Sequence, residues 1–148
     1  MMVILHTFCS LLSYAAFLIA AVAALLFLIQ ERQLKRRTPG VLFHRLPPLE
    51  SLEDMNFAAI SAGFWLLSLG LLFGLLGSRT VLGRWWTGDP KAYLTVALWL
   101  SYLALWVVRL RATLRGRRVA LLSILGFSLV LFTFLGVSRL LPSLHPYL

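Results

Sequence analysis

Four long apolar runs, the last two with internal polar residues, leave this chain few folds to choose from: Thr7 to Ile29, Phe57 to Leu76, Ala92 to Leu110 and Val119 to Leu141. Each comes close to the roughly 20 residues that a helix needs to cross about 30 Å of hydrocarbon. With 60% hydrophobic residues in 148 and a mean hydropathy of +0.88, the chain is too apolar for a soluble domain of its size. The expected fold is an all-α integral membrane protein, one domain spanning 1–148, with four transmembrane helices in a bundle. The helices are predicted at about 7–30, 55–77, 90–110 and 118–141, with a loop over 78–91. There is no internal repeat and no low-complexity segment.

The net charge of +9 would point to nucleic acid in a soluble protein, but here its distribution sets orientation. Arg32, Lys35, Arg36, Arg37 and Arg45 lie between the first two spans, and Arg109, Arg111, Arg115, Arg117 and Arg118 between the last two. Only Arg79, Arg84, Lys91 and Arg139 fall on the other side. Cation-rich short loops stay in the cytoplasm, so both termini and the 78–91 loop are predicted on the extracytoplasmic side. No basic-aromatic surface or fold motif for nucleic acid is present. The lone cysteine, Cys9, excludes an intrachain disulfide and a Cys-x-x-Cys motif, and reads as a small apolar helix residue. The N-terminus lacks a basic leader, and its apolar run ends in a strong stop-transfer block, unlike a cleaved signal peptide.

Local signals place the elements. The first helix is predicted to begin just after His6 and to end before Pro39-Gly40, and Ser51 with Asp54 resembles a capping box for the second. In the second span Gly63, Gly70, Gly74 and Gly77 share one face, and Gly70 with Gly74 forms a G-x-x-x-G pair that allows close helix approach, within the chain or between copies. Asp89-Pro90 combines a good N-cap with a residue pre-set for the first helical position. Trp99, Tyr102 and Trp106 form an aromatic face suited to helix packing and to an inner-interface anchor. Ser123, Gly126, Val130, Thr133 and Gly136 or Val137 make a packing stripe on the fourth span.

Between the second and third spans lies Gly83-Arg84-Trp85-Trp86-Thr87-Gly88-Asp89-Pro90-Lys91. A plain connector needs Gly, Pro and small polar residues rather than two indoles flanked by cations. Taken alone the stretch suits an interfacial anchor best, since Trp is enriched where membrane meets water, and it also suits a surface that holds something flat and anionic. The predicted topology brings His6, ahead of the first span, and His145, after the fourth, to the same membrane face, while His44 falls in the cytoplasmic loop. Singly, each histidine suits an interfacial residue. Together, two neutral imidazoles can ligate one haem iron from opposite sides, indoles can pack on the porphyrin, and Arg or Lys can pair with propionates.

These residues resemble the tryptophan-rich WWD segment of the cytochrome c assembly family, the CcsA, ResC and CcmC type of haem-handling membrane proteins, with the HemX-like branch nearest. The resemblance extends to His6 with Leu11-Leu12-Ser13-Tyr14-Ala15, to Gln30-Glu31-Arg32-Gln33-Leu34-Lys35, to Trp99-Leu100-Ser101-Tyr102, and to Phe132-Thr133-Phe134-Leu135-Gly136-Val137 through His145-Pro146-Tyr147. It implies that His6 and His145 are axial ligands of haem b and that Trp85, Trp86 and Asp89 belong to the haem-binding loop, beside Arg84 and Lys91.

The resemblance also implies a function: binding or presenting haem at the outer face for attachment to apocytochrome c, in company with other cytochrome c assembly membrane proteins. Such a chain is a haem-trafficking or ligase component rather than a stand-alone enzyme, in a bacterial-type cytoplasmic (inner) membrane with its loop facing the periplasm or exterior. A HemX-like membrane regulator or scaffold in haem or metal homeostasis is the alternative, and self-association is left open. The chain departs from the family pattern at Gly88, where a further Trp is usual, and at Ala92, Ser138 and Pro146. Family members commonly carry further helices ahead of the matched segment, so a short or truncated member is expected.

Overall fold

A computed structural model describes residues 1–37, 40–41, 43–86, 88–111 and 114–136. Among them are four helices, α1 (Met2–Arg36), α2 (Leu49–Leu82), α3 (Pro90–Leu110) and α4 (Arg117–Leu131), and no strand. A π-helical segment, Phe132–Gly136, continues α4. All four helices, α4 together with its π-helical extension, are long and apolar enough to cross a membrane. The predicted end of the fourth helix at Leu141, with Arg139 and His145, lies outside the described residues.

α1 and α2 outrun the apolar segments that define them at both ends. α1 has 35 residues, about 52 Å at 1.5 Å per residue. Nothing between Met2 and Arg36 breaks a helix, so His6 lies within α1 rather than ahead of it, and the helix stops where Arg37 turns left-handed at φ 51°. α2 begins at Leu49, directly behind Pro48, and no side chain caps it. Ser51 and Asp54 therefore sit inside the first turns and form no capping box. α3 starts as the sequence predicts, with Asp89 accepting a hydrogen bond from the Lys91 backbone N–H at 3.3 Å and Pro90 at the first helical position.

α1 and α2 form the most extensive pair, and α4 packs on α1 while α3 packs on α2. Close approach of α1 and α2 needs Gly63: a Cβ there would overlap the Phe17 ring, which is fully buried. The α2–α3 contact repeats after seven residues on each helix. Trp99 donates its indole N–H to Ser68 at 2.8 Å and Trp106 donates to Ser61 at 3.0 Å. Phe64 lies between, stacked on both indoles with centroids 5.7 and 5.4 Å away. Trp99 and Trp106 thus pack against α2 with their indole N–H groups satisfied where lipid offers no partner, while Tyr102 turns to Phe17 of α1 and its buried hydroxyl has no hydrogen-bond partner among the described residues.

Toward the charged end, Asn56 donates from Nδ2 to the Ala20 carbonyl at 2.7 Å and to Ser123 Oγ at 3.0 Å, joining α1, α2 and α4. Beyond it, Glu53 Oε1 accepts from the Gly116 N–H at 2.9 Å and lies 3.5 Å from Arg109 Nη1. One carboxylate thereby ties the start of α2 to the end of α3 and the N-cap of α4.

Candidate functional site

The opposite end of the bundle carries the histidine and the tryptophans. Its geometry starts from the glycine face of α2. His6, one turn into α1, places Nδ1 2.6 Å from the Gly70 carbonyl oxygen. A carbonyl oxygen only accepts, so Nδ1 carries a proton, which in a neutral imidazole leaves the lone pair on Nε2. Gly74 makes this seat: a Cβ there would stand 2.9 Å from Nδ1. The G-x-x-x-G pair that reads as a helix-packing motif is a berth for an imidazole. α1 of the same chain covers this face of α2, since Gly70 also meets Ser10 and Gly77 meets Met2.

α2 ends at Gly83, left-handed at φ 66°, and the loop beyond is open. Trp85 and Trp86 are 55% and 37% exposed, leaving indole surface available to a ligand. The Arg79 guanidinium lies 4.2 Å from the Trp85 ring centroid, a cation–π contact that holds that indole at the helix end. Ser78 Oγ donates to the Arg84 carbonyl at 2.9 Å, and Trp86 meets Tyr93 edge-on at 5.3 Å. The Asp89 carboxylate caps α3, which fixes where the chain re-enters the bundle. Arg84 and Lys91 are exposed and make no ion pair among the described residues. Phe134, in the π-helical segment, meets Tyr14 of α1 edge-on at 6.2 Å. His145 itself lies outside the described residues.

Sequence reading singled out His6, the indole pair and Asp89, but not the Gly70 carbonyl that His6 meets or the Arg79 that lies on Trp85. Only the G-x-x-x-G spacing hinted at the first, and nothing local signalled the second. Among the described residues no three His, Cys, Asp or Glu side chains gather to hold a metal ion. A lone imidazole with its second nitrogen committed to a carbonyl has the tautomer and orientation of a metal ligand. It suits a metal whose remaining donors come from a macrocycle.

Four apolar helices, with a seated imidazole and exposed indoles at one end, define a multi-pass helical membrane protein. The chain belongs to the family described as "Cytochrome C assembly protein", whose family model matches residues 1–145. It is 32% identical to the cytochrome c biogenesis protein CcsA of Prochlorococcus marinus strain MIT 9215, over 97% of this chain and 53% of the relative. It is 34% identical to the CcsA of strain MIT 9515, over 97% of this chain and 52% of that protein. The CcsA of strain NATL1A is 36% identical over 66% of this chain and 31% of its own length. The chain thus spans about half the length of the curated relatives it matches along its whole extent. No solved structure matches it.

Proposed function

We propose that this chain binds haem b as cargo at the extracytoplasmic end of its bundle and presents it for attachment to apocytochrome c. His6 is one axial ligand through Nε2 and His145 the other. Trp85 and Trp86 pack on the macrocycle, Arg84 and Lys91 face the propionates, and Asp89 fixes the loop by capping α3. The cytoplasmic (inner) membrane of a bacterial-type cell is its setting, the basic end lies inside, and other cytochrome c assembly membrane proteins are its partners.

The observation that carries this reading is the 2.6 Å contact of His6 Nδ1 with the Gly70 carbonyl, which leaves Nε2 as the ligating nitrogen. The contact also orients the ring, as hydrogen bonds to metal-bound histidines do. The loop chemistry, two exposed indoles beside cations that form no ion pair among the described residues, complements a flat dianion. Family membership and relatives named as cytochrome c biogenesis proteins support the pathway.

The test is absorption of the purified full chain after haem titration. A Soret band is expected, diminished in His6→Gly and restored to that variant by added imidazole, and diminished likewise in His145→Gly. A chain that takes up no haem, or whose band is unchanged in both variants, would refute the site. Labelling of Lys91 by a membrane-impermeant amine reagent in spheroplasts checks the orientation.

A further inference from the structure

We infer that the basic end of the bundle, opposite His6, is a docking surface for the headgroups of acidic phospholipids. Two tiers of exposed cations form it. The inner tier is the α3–α4 connection, where Arg111, Arg115, Arg117 and Arg118 are all exposed. Its depth is set by Phe27, whose ring would lie 3.6 Å from a Cβ on Gly116, close to the end of the first apolar run. The outer tier, Arg36 and Arg37, is exposed at the end of α1. It stands nine residues past Phe27, about 13 Å farther along the axis. Headgroup phosphates docked on this surface lie between the two tiers.

The acids nearby do not neutralise this surface. Glu31 is held by Lys35 at 3.1 Å, and Glu53 by Arg109 and the Gly116 N–H. Among the described residues of this end only Glu50 and Asp54 are exposed carboxylates. The start of α4 is the second observation. Arg117 and Arg118 occupy its first turn, which holds no acidic residue and has no side-chain cap. Cations there oppose the helix dipole, and the Glu53 carboxylate that meets the Gly116 N–H at the N-cap is itself shared with Arg109. A phosphodiester arriving from the leaflet adds negative charge at this helix start. Each basic residue near an anionic bilayer surface is worth about fivefold in lipid preference, and the attraction is screened by salt.

The experiment is native mass spectrometry of the full chain in detergent, titrated separately with phosphatidylglycerol and phosphatidylcholine. Preference for phosphatidylglycerol of at least about tenfold is expected, falling as salt rises. The fourfold variant R111Q/R115Q/R117Q/R118Q is expected to lose that preference, while the fourfold Arg→Lys variant keeps it. Should the fourfold Gln variant fail to fold, the exposed pair R115Q/R118Q is expected to reduce the preference at least fivefold. Equal retention of the two lipids, or a preference unchanged by the Gln variants, overturns the proposal. So does displacement of phosphatidylglycerol by tRNA at 150 mM salt, a concentration at which exposed charges interact over only about 8 Å, because it would assign the surface to a soluble polyanion.

Discussion

Phe17 lies flat on Tyr102, with ring centroids 3.6 Å apart and planes 15° from parallel. Each ring is backed by a glycine: Gly63 of α2 faces Phe17, and Gly126 of α4 stands where a Cβ would be 3.2 Å from the Tyr102 hydroxyl. One layer, Gly63, Phe17, Tyr102, Gly126, thus crosses all four helices. Two large residues fill what two absent side chains leave.

That layer predicts unequal costs at its two ends. Gly63→Ala forces Phe17 and with it Tyr102 to move, and overpacking of this kind costs about 1–3 kcal/mol. Gly126→Ala asks for a shift of only a few tenths of an ångström and costs less. Thermal unfolding in detergent is expected to rank the two in that order.

Gly74→Ala tests the seat of His6. The added methyl would press on Nδ1 and displace the ring from the Gly70 carbonyl while leaving the helix intact. Haem uptake in titration is expected to weaken by about tenfold, the usual lower bound for loss of a partner that orients a ligand. Unchanged uptake would mean that the glycine matters to packing alone.

Asn56 is 3% exposed and bonds α1 and α4 at once. Asn56→Ala removes both links and is expected to cost about 1–2 kcal/mol, since interhelical hydrogen bonds in bilayers average about 0.6 kcal/mol each and the partner groups are left unpaired. Combining it with Ser123→Ala should cost less than the two single variants added together, as a double-mutant cycle on reversible unfolding would show.

Glu53 and Arg109 are both largely shielded, with side chains 21% and 9% exposed. Removing one partner strands the other charge, so Glu53→Ala is expected to destabilise by about 3 kcal/mol and to loosen the start of α4, whose Gly116 N–H loses its acceptor. Glu53→Ala with Arg109→Met is expected to be milder than Glu53→Ala alone. Hydrogen exchange of the Gly116 amide reports the local effect.

Much of this protein is decided by local chemistry and is legible residue by residue. Apolar length gave the four spans, because a helix that satisfies its own backbone needs only enough hydrophobic residues to cross. Asp89-Pro90 announced α3 because capping involves neighbours in sequence. The loop with Trp85 and Trp86 stood out because its composition suits no simple turn. Where local signals were weak they misled: Ser51 and Asp54 looked like a cap, but Pro48 had already opened α2.

Tertiary structure decided what fills the glycine face of α2. Sequence spacing shows that Gly63, Gly70 and Gly74 share one side, yet only the α1–α2 register puts Phe17 on the first, Ser10 on the second and His6 on the third. The same holds for Glu53, Arg109 and Gly116, and for Asn56 with Ser123. These pairs are far apart in the chain, so no periodicity or propensity encodes them; they exist because helices packed in one register bring them within hydrogen-bond reach. The sequence therefore determined that an imidazole would stand near one end of the first span, and the packing determined which of its nitrogens meets the Gly70 carbonyl.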